Sequence, residues 1–345
     1  MFSATDSSVS IECLTLSSLR DGAGSPYQSE SFSALGAQPF MLVDLRAQNP
    51  ELPQHERDRI AAWIARQSCP VIAIADAHSD HLLTQAFDVL ADDEHDAQQL
   101  IRGILHAPIA AMTLMQVLRV TAAMPVQQAL LVESLAYSTL QSGPEFKRWL
   151  QANPPGQSAL EPERDAAVLI EREGATLRLR LNRPQRRNAV SVEMRDLLVE
   201  ALQLAVADAS IAEISISGNG ACFSIGGDLA EFGSAPDPAT AHAVRSLRLP
   251  ATLLAQCSER LHFHVHSACI GAGMEIPAFG RRVSASRSAF FQLPELRFGL
   301  IPGAGGCVSL PRRIGRQRTA WLALSAKKIN AATALAWGLV DTVSC

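Results

Sequence analysis

The stretch FFQLPELRFGLIPGAGG, residues 290–306, holds one acidic residue, Glu295, behind a proline in a largely apolar run. An unpaired charge buried among Phe, Leu and Ile side chains costs several kcal/mol. Such a carboxylate is therefore exposed, paired with another group, or kept for chemistry with a shifted pKa. Which of these applies to Glu295 depends on a partner elsewhere in the chain.

The candidate partner is Glu275 in IGAGMEIPAF, where a glycine-rich turn leads into a helix. Taken alone, Glu275 is also explained as an acid that complements the dipole at a helix start. The rest of this helix is apolar, so we expect it to be buried with its acid facing a cavity. Two inward carboxyl groups, one ionised and one protonated, suit a reaction that removes a proton at one atom and delivers one at the next.

Two glycine turns, SIGGD at residues 224–228 and GAG at residues 271–273, follow predicted strands. Backbone amides from two such loops can hold one developing oxyanion, although either loop alone is also typical of an ordinary turn. Neither turn has the G-x-G-x-x-G spacing, the GK[ST] ending or the G-x-S-x-G elbow. Nicotinamide, P-loop and serine-hydrolase sites are therefore not indicated.

Two further polar motifs say less about function. In LHFHVHS, the side chains of His262, His264 and His266 alternate along one strand. Neighbours on one face are roughly 6.5 Å apart, too far for three nitrogens to close easily on one zinc ion, so we predict no metal and a polar sheet face with His266 nearest the cleft. The basic motif LNRPQRRN could meet a phosphate or form a solvated loop; its arginines are Arg183, Arg186 and Arg187.

Composition narrows the class of protein. The 345 residues are 48% hydrophobic, with 30 basic and 34 acidic side chains and a net charge of −4, so we expect a globular protein that does not bind nucleic acid. The seven cysteines are scattered and never form a CxxC pair, which favours a reducing cytoplasm. No signal peptide or membrane span is indicated, since the most apolar helical stretch, APIAAMTLMQVL, is short.

The order of elements predicts an α/β protein in two parts. Residues 1–36 are expected to be a poorly ordered tail, and residues 37–150 an α/β extension that ends in helices. A linker is predicted at residues 151–165, which contain three prolines. Strand and helix patterns then alternate through residues 166–345.

Five motifs of this second part resemble the enoyl-CoA hydratase/isomerase, or crotonase, family and occur in the family's order. They are LNRPQRRNAVS, ACFSIGGDLAEF, HSACIGAGMEIPAF, FQLPELRFGLIPGAGG and SAKKINAATALAWGLVDTV. The resemblance implies a repeated β-β-α spiral that binds acyl-CoA thioesters, with coenzyme A as part of the substrate and no separate cofactor.

The resemblance also implies a set of site residues. By position, the thioester oxygen is held by the backbone amides of Gly227 and Ala272. The two glutamates of the family's hydratases match Glu275 and Glu295, and a glycine near the water matches Gly303. Four more candidates for water or substrate binding lie in or beside these motifs: Gly226, Asp228, His266 and Arg186.

Retention of both acids favours a lyase that adds water in syn fashion to a 2-enoyl-CoA thioester, giving 3-hydroxyacyl-CoA. Many family members keep only one of these acids and catalyse other reactions. An enoyl-CoA isomerase, a thioester hydrolase and a non-catalytic acyl-CoA-binding protein remain alternatives.

The sequence also departs from the family pattern. Ala272 stands where the family often has glycine, and His266-Ser267 where Asn-Gly is common, so we expect a reshaped pocket. The sequence stops at Cys345, before the helical tail that usually covers the acyl site and helps to form trimers. A homo-oligomer is expected, with the family's trimer or hexamer left open.

The first part of the chain offers a replacement for that cover. The segment ALLVESLAYSTLQSGPEFKRWL resembles the family's tail helix moved to the front of the chain. This interpretation predicts that the helices from Pro108 to Leu150 pack on residues 166–345 near the acyl pocket. An unrelated appended domain is the alternative.

Overall fold

The first part of the chain forms a layer of four parallel strands. The computed structural model of the protein describes residues 11–23, 32–46, 52–76, 79, 81–154 and 165–344. The strands, which neighbour one another in chain order, are β1 (Cys13–Thr15), β2 (Met41–Asp44), β3 (Val71–Ile74) and β4 (Val89–Ala91). Between them lie the helices α1 (Leu16–Gly22), α2 (Gln54–Ala65) and α3 (His81–Thr84). Every residue of β3 is buried, as expected for a continuous apolar run in a parallel sheet.

The poorly ordered tail predicted for residues 1–36 is wrong where the structure describes it. Strand β1 pairs with β2, and the Thr15 side chain caps the start of α1. Leu16 and Leu19 are buried against the sheet. The serine-rich composition concealed this short helix, because only two apolar positions mark its buried face. Residues 1–10 and 24–31 lie outside the described residues.

Four helices complete the first part. They are α4 (Glu94–His106), α5 (Pro108–Thr121), α6 (Val126–Gln141) and α7 (Pro144–Ala152). A proline occupies the first turn of α5 and of α7, where its missing N–H is not needed. No single helix within the described ranges is long and apolar enough to cross a membrane; α4 and α5 pass that test only jointly, and they are bent by 108°. Of the predicted linker, residues 155–164 lie outside the described ranges.

The second part is built on two sheets. The larger has six strands in the order β13-β10-β8-β7-β6-β5, and only its edge pair β5/β6 is antiparallel. Its strands are β5 (Val168–Glu173), β6 (Thr176–Leu181), β7 (Glu213–Gly218), β8 (Leu261–Val265), β10 (Arg282–Ser286) and β13 (Thr342–Ser344). The smaller sheet contains β9 (Ala268–Ile270), β11 (Phe290–Gln292) and β12 (Ile329–Asn330).

The chain passes repeatedly from the larger sheet to the smaller one and then into a helix. β8 is followed by β9 and a helix, and β10 is followed by β11 and a helix, which is the predicted β-β-α repeat. The helices of this part are α8 (Val192–Ala207), α9 (Pro238–Arg248), α10 (Pro250–Gln256), α11 (Ala272–Glu275), α12 (Gly306–Ile314), α13 (Arg316–Ser325) and α14 (Ala331–Trp337). The fold is therefore the predicted α/β class.

The helices between Pro108 and Leu150 pack on the second part, as the sequence analysis expects. Helices α5 and α6 lie against α12, and α4 lies against α13. The closest approach of α4 is at Gly103, where a Cβ atom would lie 1.8 Å from the carbonyl oxygen of Leu324. Only glycine permits the two helices to meet this closely.

A buried ion-pair network also joins the two parts. Asp88, fully buried before β4, binds Arg119 of α5 and Arg316 of α13 through charged hydrogen bonds. Its Oδ2 also accepts the Val71 amide at 2.9 Å. A single carboxylate thus connects the first sheet, the helices beside it and the second part.

We expect Asp88→Ala to lower the free energy of unfolding by about 3–5 kcal/mol, because it leaves two arginines beside a buried site without their counter-charge. Guanidinium unfolding would measure the change. Glu259→Ala is the control: Glu259 pairs with Arg281, and their side chains are 82% and 64% exposed. This control should cost less than about 1 kcal/mol. Equal losses in the two variants would show that the buried network contributes no special stability.

Candidate active site

The pairing of β9 with β11 brings the two predicted acids together. These strands run parallel, with Ile270 opposite Gln292, so the segments that follow them leave the sheet at the same edge. One segment begins α11 and carries Glu275; the other begins a 3₁₀ turn at Glu295. Both side chains are buried, with residue exposures of 2% and 9%. Gly271 lies against the second acid, since a Cβ there would lie 2.6 Å from Glu295 Oε1.

The two carboxyl groups have different surroundings. Glu275 Oε2 accepts the backbone N–H groups of Ala304 and Gly306 at 2.7 and 2.8 Å. Burial raises the pKa of Glu275 to about 7, and the two amides act in the opposite direction. Burial, and then the charge of Glu275, hold the pKa of Glu295 well above its usual range. Near neutral pH, Glu275 is therefore the acid of the pair that ionises more easily.

Glu295 also has an unused polar atom. Its Oε2 is buried and has no hydrogen-bond partner among the described residues. A buried polar atom without a partner is costly, and such atoms in folded proteins usually have a water or ligand as partner. The Oε2 atom is therefore a candidate contact for a bound molecule.

Two backbone amides converge beside these acids. The Val190 N–H donates to the Gly226 carbonyl, and the Val190 carbonyl accepts the Asp228 N–H. This pairing directs the Gly227 N–H away from Val190. Ala272 is the first residue of α11, so its N–H has no acceptor within the helix. Neither N–H donates a hydrogen bond to another described residue.

The two loops that carry these amides lie in direct contact. Gly226 has φ +95°, and a Cβ there would lie 2.8 Å from the Ile270 carbonyl oxygen and 3.6 Å from the Ala272 nitrogen. Two free, adjacent N–H groups can bind one oxyanion.

A buried asparagine holds the first of these loops. Asn188 Nδ2 donates to the carbonyl groups of Asn219, Cys222 and Phe223. Ser224 Oγ donates to the Asn188 carbonyl at 2.7 Å and accepts the Gly226 amide at 3.2 Å. The asparagine adopts φ +53°, a conformation that asparagine tolerates better than most residues. Sequence reasoning did not identify this support.

A third carboxylate, Glu133, reaches the same region from α6. Glu133 is 1% exposed, and its two oxygens accept the amides of Gly305 and Cys307, each at 2.8 Å. Burial, and then the charge of Glu275, raise the pKa of Glu133 well above its usual range. Near the start of α12, Glu275 thus accepts the N–H groups of residues 304 and 306, and Glu133 accepts those of residues 305 and 307. The signal that sequence reasoning missed was a lone acid in the apolar stretch ALLVESLAY.

One turn later on α6, the Tyr137 ring lies on the glycine loop, by which we mean residues 303–307, where the chain enters α12. A Cβ at Gly303 would lie 2.4 Å from the Tyr137 ring, so only glycine allows this contact. The Arg245 guanidinium lies 4.8 Å from the ring centroid and donates to Ser134 and Ser138 of the same helix. Burial raises the pKa of Tyr137, and Arg245 opposes that effect.

The other predicted site residues lie around this centre. Asp228 caps a short turn through the Ala230 amide, and Arg186 is 3.7 Å from its carboxylate, so both lie next to the Gly226–Gly227 loop. His266 belongs elsewhere: its Nε2 lies 3.0 Å from the Gly220 carbonyl oxygen, and no described contact joins it to the two acids.

The remaining residues of the polar motifs have structural surroundings. His262 and His264 lie on the polar face of the larger sheet, as predicted. Arg183 is buried and binds Glu193, which makes it part of the scaffold of its loop.

The part of the chain that carries these motifs matches the sequence profile of one protein family. The profile of the enoyl-CoA hydratase/isomerase family matches residues 171–345. The 2,3-dehydroadipyl-CoA hydratase of Escherichia coli (strain K12) is 36% identical over 176 residues, or 51% of this chain and 68% of that protein. The 1,2-epoxyphenylacetyl-CoA isomerase of the same strain is 33% identical over 177 residues, or 50% and 68% of the two chains.

The chain is also similar in sequence to proteins of known structure. An enoyl-CoA hydratase from Thermoplasma volcanium GSS1 is 34% identical and aligns with 52% of this chain and 72% of that one, at a TM-score of 0.47. The family profile begins at residue 171, so Glu133 and Tyr137 lie outside it.

We expect Glu133→Ala to loosen the glycine loop, because two buried amides lose their acceptors. An intramolecular hydrogen bond contributes about 0.5–1.5 kcal/mol net, so the loss of two of them should accelerate exchange of the loop amides by roughly tenfold or more. Hydrogen–deuterium exchange of a peptide spanning residues 303–307 would measure it. Glu200→Ala, a helical glutamate whose side chain is 59% exposed, is the matched control and should leave that peptide unchanged. Equal exchange in wild type and Glu133→Ala would mean that Glu133 does not hold the loop.

Proposed function

Because the chain belongs to the enoyl-CoA hydratase/isomerase family, we propose that it adds water to a 2-enoyl-CoA thioester to give the 3-hydroxyacyl-CoA. The observation that carries this proposal is the pair of buried acids beside two unused backbone amides. Coenzyme A enters as part of the substrate, and the reaction needs no separate cofactor. Asp228 and Arg186 are the proposed polar contacts at the edge of the site.

In the proposed reaction, the thioester oxygen accepts the N–H groups of Gly227 and Ala272. Negative charge accumulates on that oxygen as water attacks C3, and the loss of one such donor typically costs about 3 kcal/mol. The substrate carbonyl is thereby polarised before any proton moves.

The different surroundings of the two acids support an assignment of roles. Glu275, with a pKa of about 7 and two amides on Oε2, takes the proton from water. Glu295, whose pKa is held well above the usual range, is the neutral acid and delivers a proton to C2. In this proposal the N–H of Gly303 orients the water. The proton lost by Glu295 and the proton gained by Glu275 leave the pair with one proton, as before the reaction.

An enoyl-CoA isomerase on the same scaffold is the second candidate, because the matching family is named for both hydratases and isomerases. Isomerisation of an enoyl thioester moves one proton between two carbons and needs no water, so one of the two acids suffices. The presence of two buried acids supports hydration over this alternative. The homo-oligomer expected from the family remains a prediction for this chain.

We expect the wild type to remove the conjugated absorbance of crotonyl-CoA, and both Glu275→Gln and Glu295→Gln to lower kcat by about a hundredfold to ten-thousandfold. Each variant keeps the size of the side chain but removes its proton transfer. Glu200→Gln is the surface control and should retain full activity. No turnover of any 2-enoyl-CoA by the wild type would refute hydration, whereas conversion of a 3-enoyl-CoA that survives Glu295→Gln would favour the isomerase.

We expect kcat/KM to fall on the acid side of about pH 7. Glu275 must be ionised to accept a proton from water, and its raised pKa means that protonation begins as the pH falls towards that value. The expected slope is one logarithmic unit per pH unit below the pKa, measured with crotonyl-CoA at constant ionic strength. A profile that stays flat through pH 7 and below would contradict the assignment of Glu275 as the base.

A further inference from the structure

Three aromatic side chains form a wall beside the candidate active site. They are Trp149 of α7, Phe232 of the segment after the Gly226–Gly227 loop, and Phe298 at the end of the 3₁₀ turn that begins at Glu295. The ring centroid of Trp149 lies 5.1 Å from that of Phe298 and 5.9 Å from that of Phe232. Phe232 and Phe298 pack edge to face at 6.1 Å. All three rings keep part of their surface accessible.

This aromatic wall lies against the glycine proposed to bind the substrate, and one of its rings belongs to the same short turn as the acid proposed to protonate the substrate. A Cβ at Gly227 would lie 2.9 Å from Phe232 Cε1, so the ring lies directly against the glycine whose amide is proposed to hold the thioester oxygen. Phe298 is three residues beyond Glu295, within one short turn. The wall therefore borders both the carbonyl end and the acid end of the site.

Helix α7 is held rigidly in this position. Phe146 is 2% exposed and stacks on Trp149, with ring planes 14° apart. Glu145 accepts the amides of Ile109 and Ala110 at 2.8 and 2.9 Å, which ties the start of α7 to the start of α5. At Gly299, with φ +69°, a Cβ would lie 2.6 Å from Glu145 Cβ. The first turn of the helix that carries Trp149 is thus tied to α5 and packed on the Gly299 turn.

We propose that Trp149 closes the acyl end of the site and restricts the substrate to short-chain enoyl-CoA thioesters. The inference rests on the proposed function, which fixes the thioester oxygen at Gly227 and Ala272 and the reacting carbons between Glu275 and Glu295. Carbons beyond C3 then extend past Glu295, along Phe298 and Phe232, and meet the indole that bridges those two rings. A longer chain has to displace a ring that is packed against three others, and excess volume in a well-packed site is unfavourable.

The first test compares chain lengths in turnover. For the wild type, kcat/KM with crotonyl-CoA should exceed that with 2-decenoyl-CoA by about tenfold or more, since even one methylene in an apolar pocket changes discrimination by about that factor. Trp149→Ala should raise the decenoyl value by at least about tenfold, mainly through KM, and should lower the crotonyl-to-decenoyl ratio of kcat/KM correspondingly. Trp337→Ala is the matched control, because Trp337 is also half-buried and packs edge to face, on Trp321, outside the wall. The control should leave the ratio unchanged.

The second test measures binding without chemistry. Titration calorimetry with butyryl-CoA and decanoyl-CoA should give weaker binding of the longer thioester to the wild type, and a reversal of that order in Trp149→Ala. Circular dichroism checks the fold, and Trp149→Leu, which keeps an apolar contact on Phe298, replaces the alanine variant if that one does not fold.

The outcomes separate the two proposals. Length discrimination in binding without turnover of any enoyl-CoA supports the wall and refutes the hydratase. Equal use of crotonyl-CoA and 2-decenoyl-CoA by the wild type, or an unchanged ratio in the folded Trp149 variant, overturns the role of Trp149 and leaves hydration standing.

Discussion

Four consecutive backbone amides, from Ala304 to Cys307, set the main constraint on this protein. These residues lie at and just before the start of α12, whose N-cap, Gly305, offers no side-chain acceptor for their N–H groups. Buried amides without acceptors are strongly destabilising, and the positive end of the helix dipole favours negative charge. Glu275 supplies acceptors for two of the amides and Glu133 for the other two. The position of the candidate base is therefore fixed by the same bonds that satisfy the helix.

Close packing at glycine makes this arrangement possible. A Cβ at Gly306 would lie 2.5 Å from Glu275 Cγ, and one at Gly303 would meet the Tyr137 ring. Gly305 has φ +102°, which side-chain-bearing residues rarely adopt. The glycine-rich sequence PGAGG is thus a packing surface on which a carboxylate from one part of the chain and an aromatic ring from the other both rest.

The two acids of the second part of the chain were predictable as site residues from the sequence, whereas the contribution of Glu133 from the first part was not. Glu275 and Glu295 stand out as acids in apolar runs, and the order of strands explains why they meet. Glu133 gives the same signal, an acid among leucines and alanines, but an amphipathic helix does not reveal the surface on which it packs. The Gly305–Glu133 bond joins residues 172 positions apart, beyond any spacing rule. At the other end of the chain, a serine-rich composition concealed α1, because two leucines were enough to bury it.

The sequence separation between Glu133 and α12 also has a consequence for how the molecule forms. Glu133 is synthesised 172 residues before Gly305, so the α6 segment emerges long before the amides that its carboxylate satisfies. Contacts of such long range carry a large loop-closure cost and form late in folding. The acids of the site can therefore pair with their amides only after the chain has been synthesised beyond residue 307.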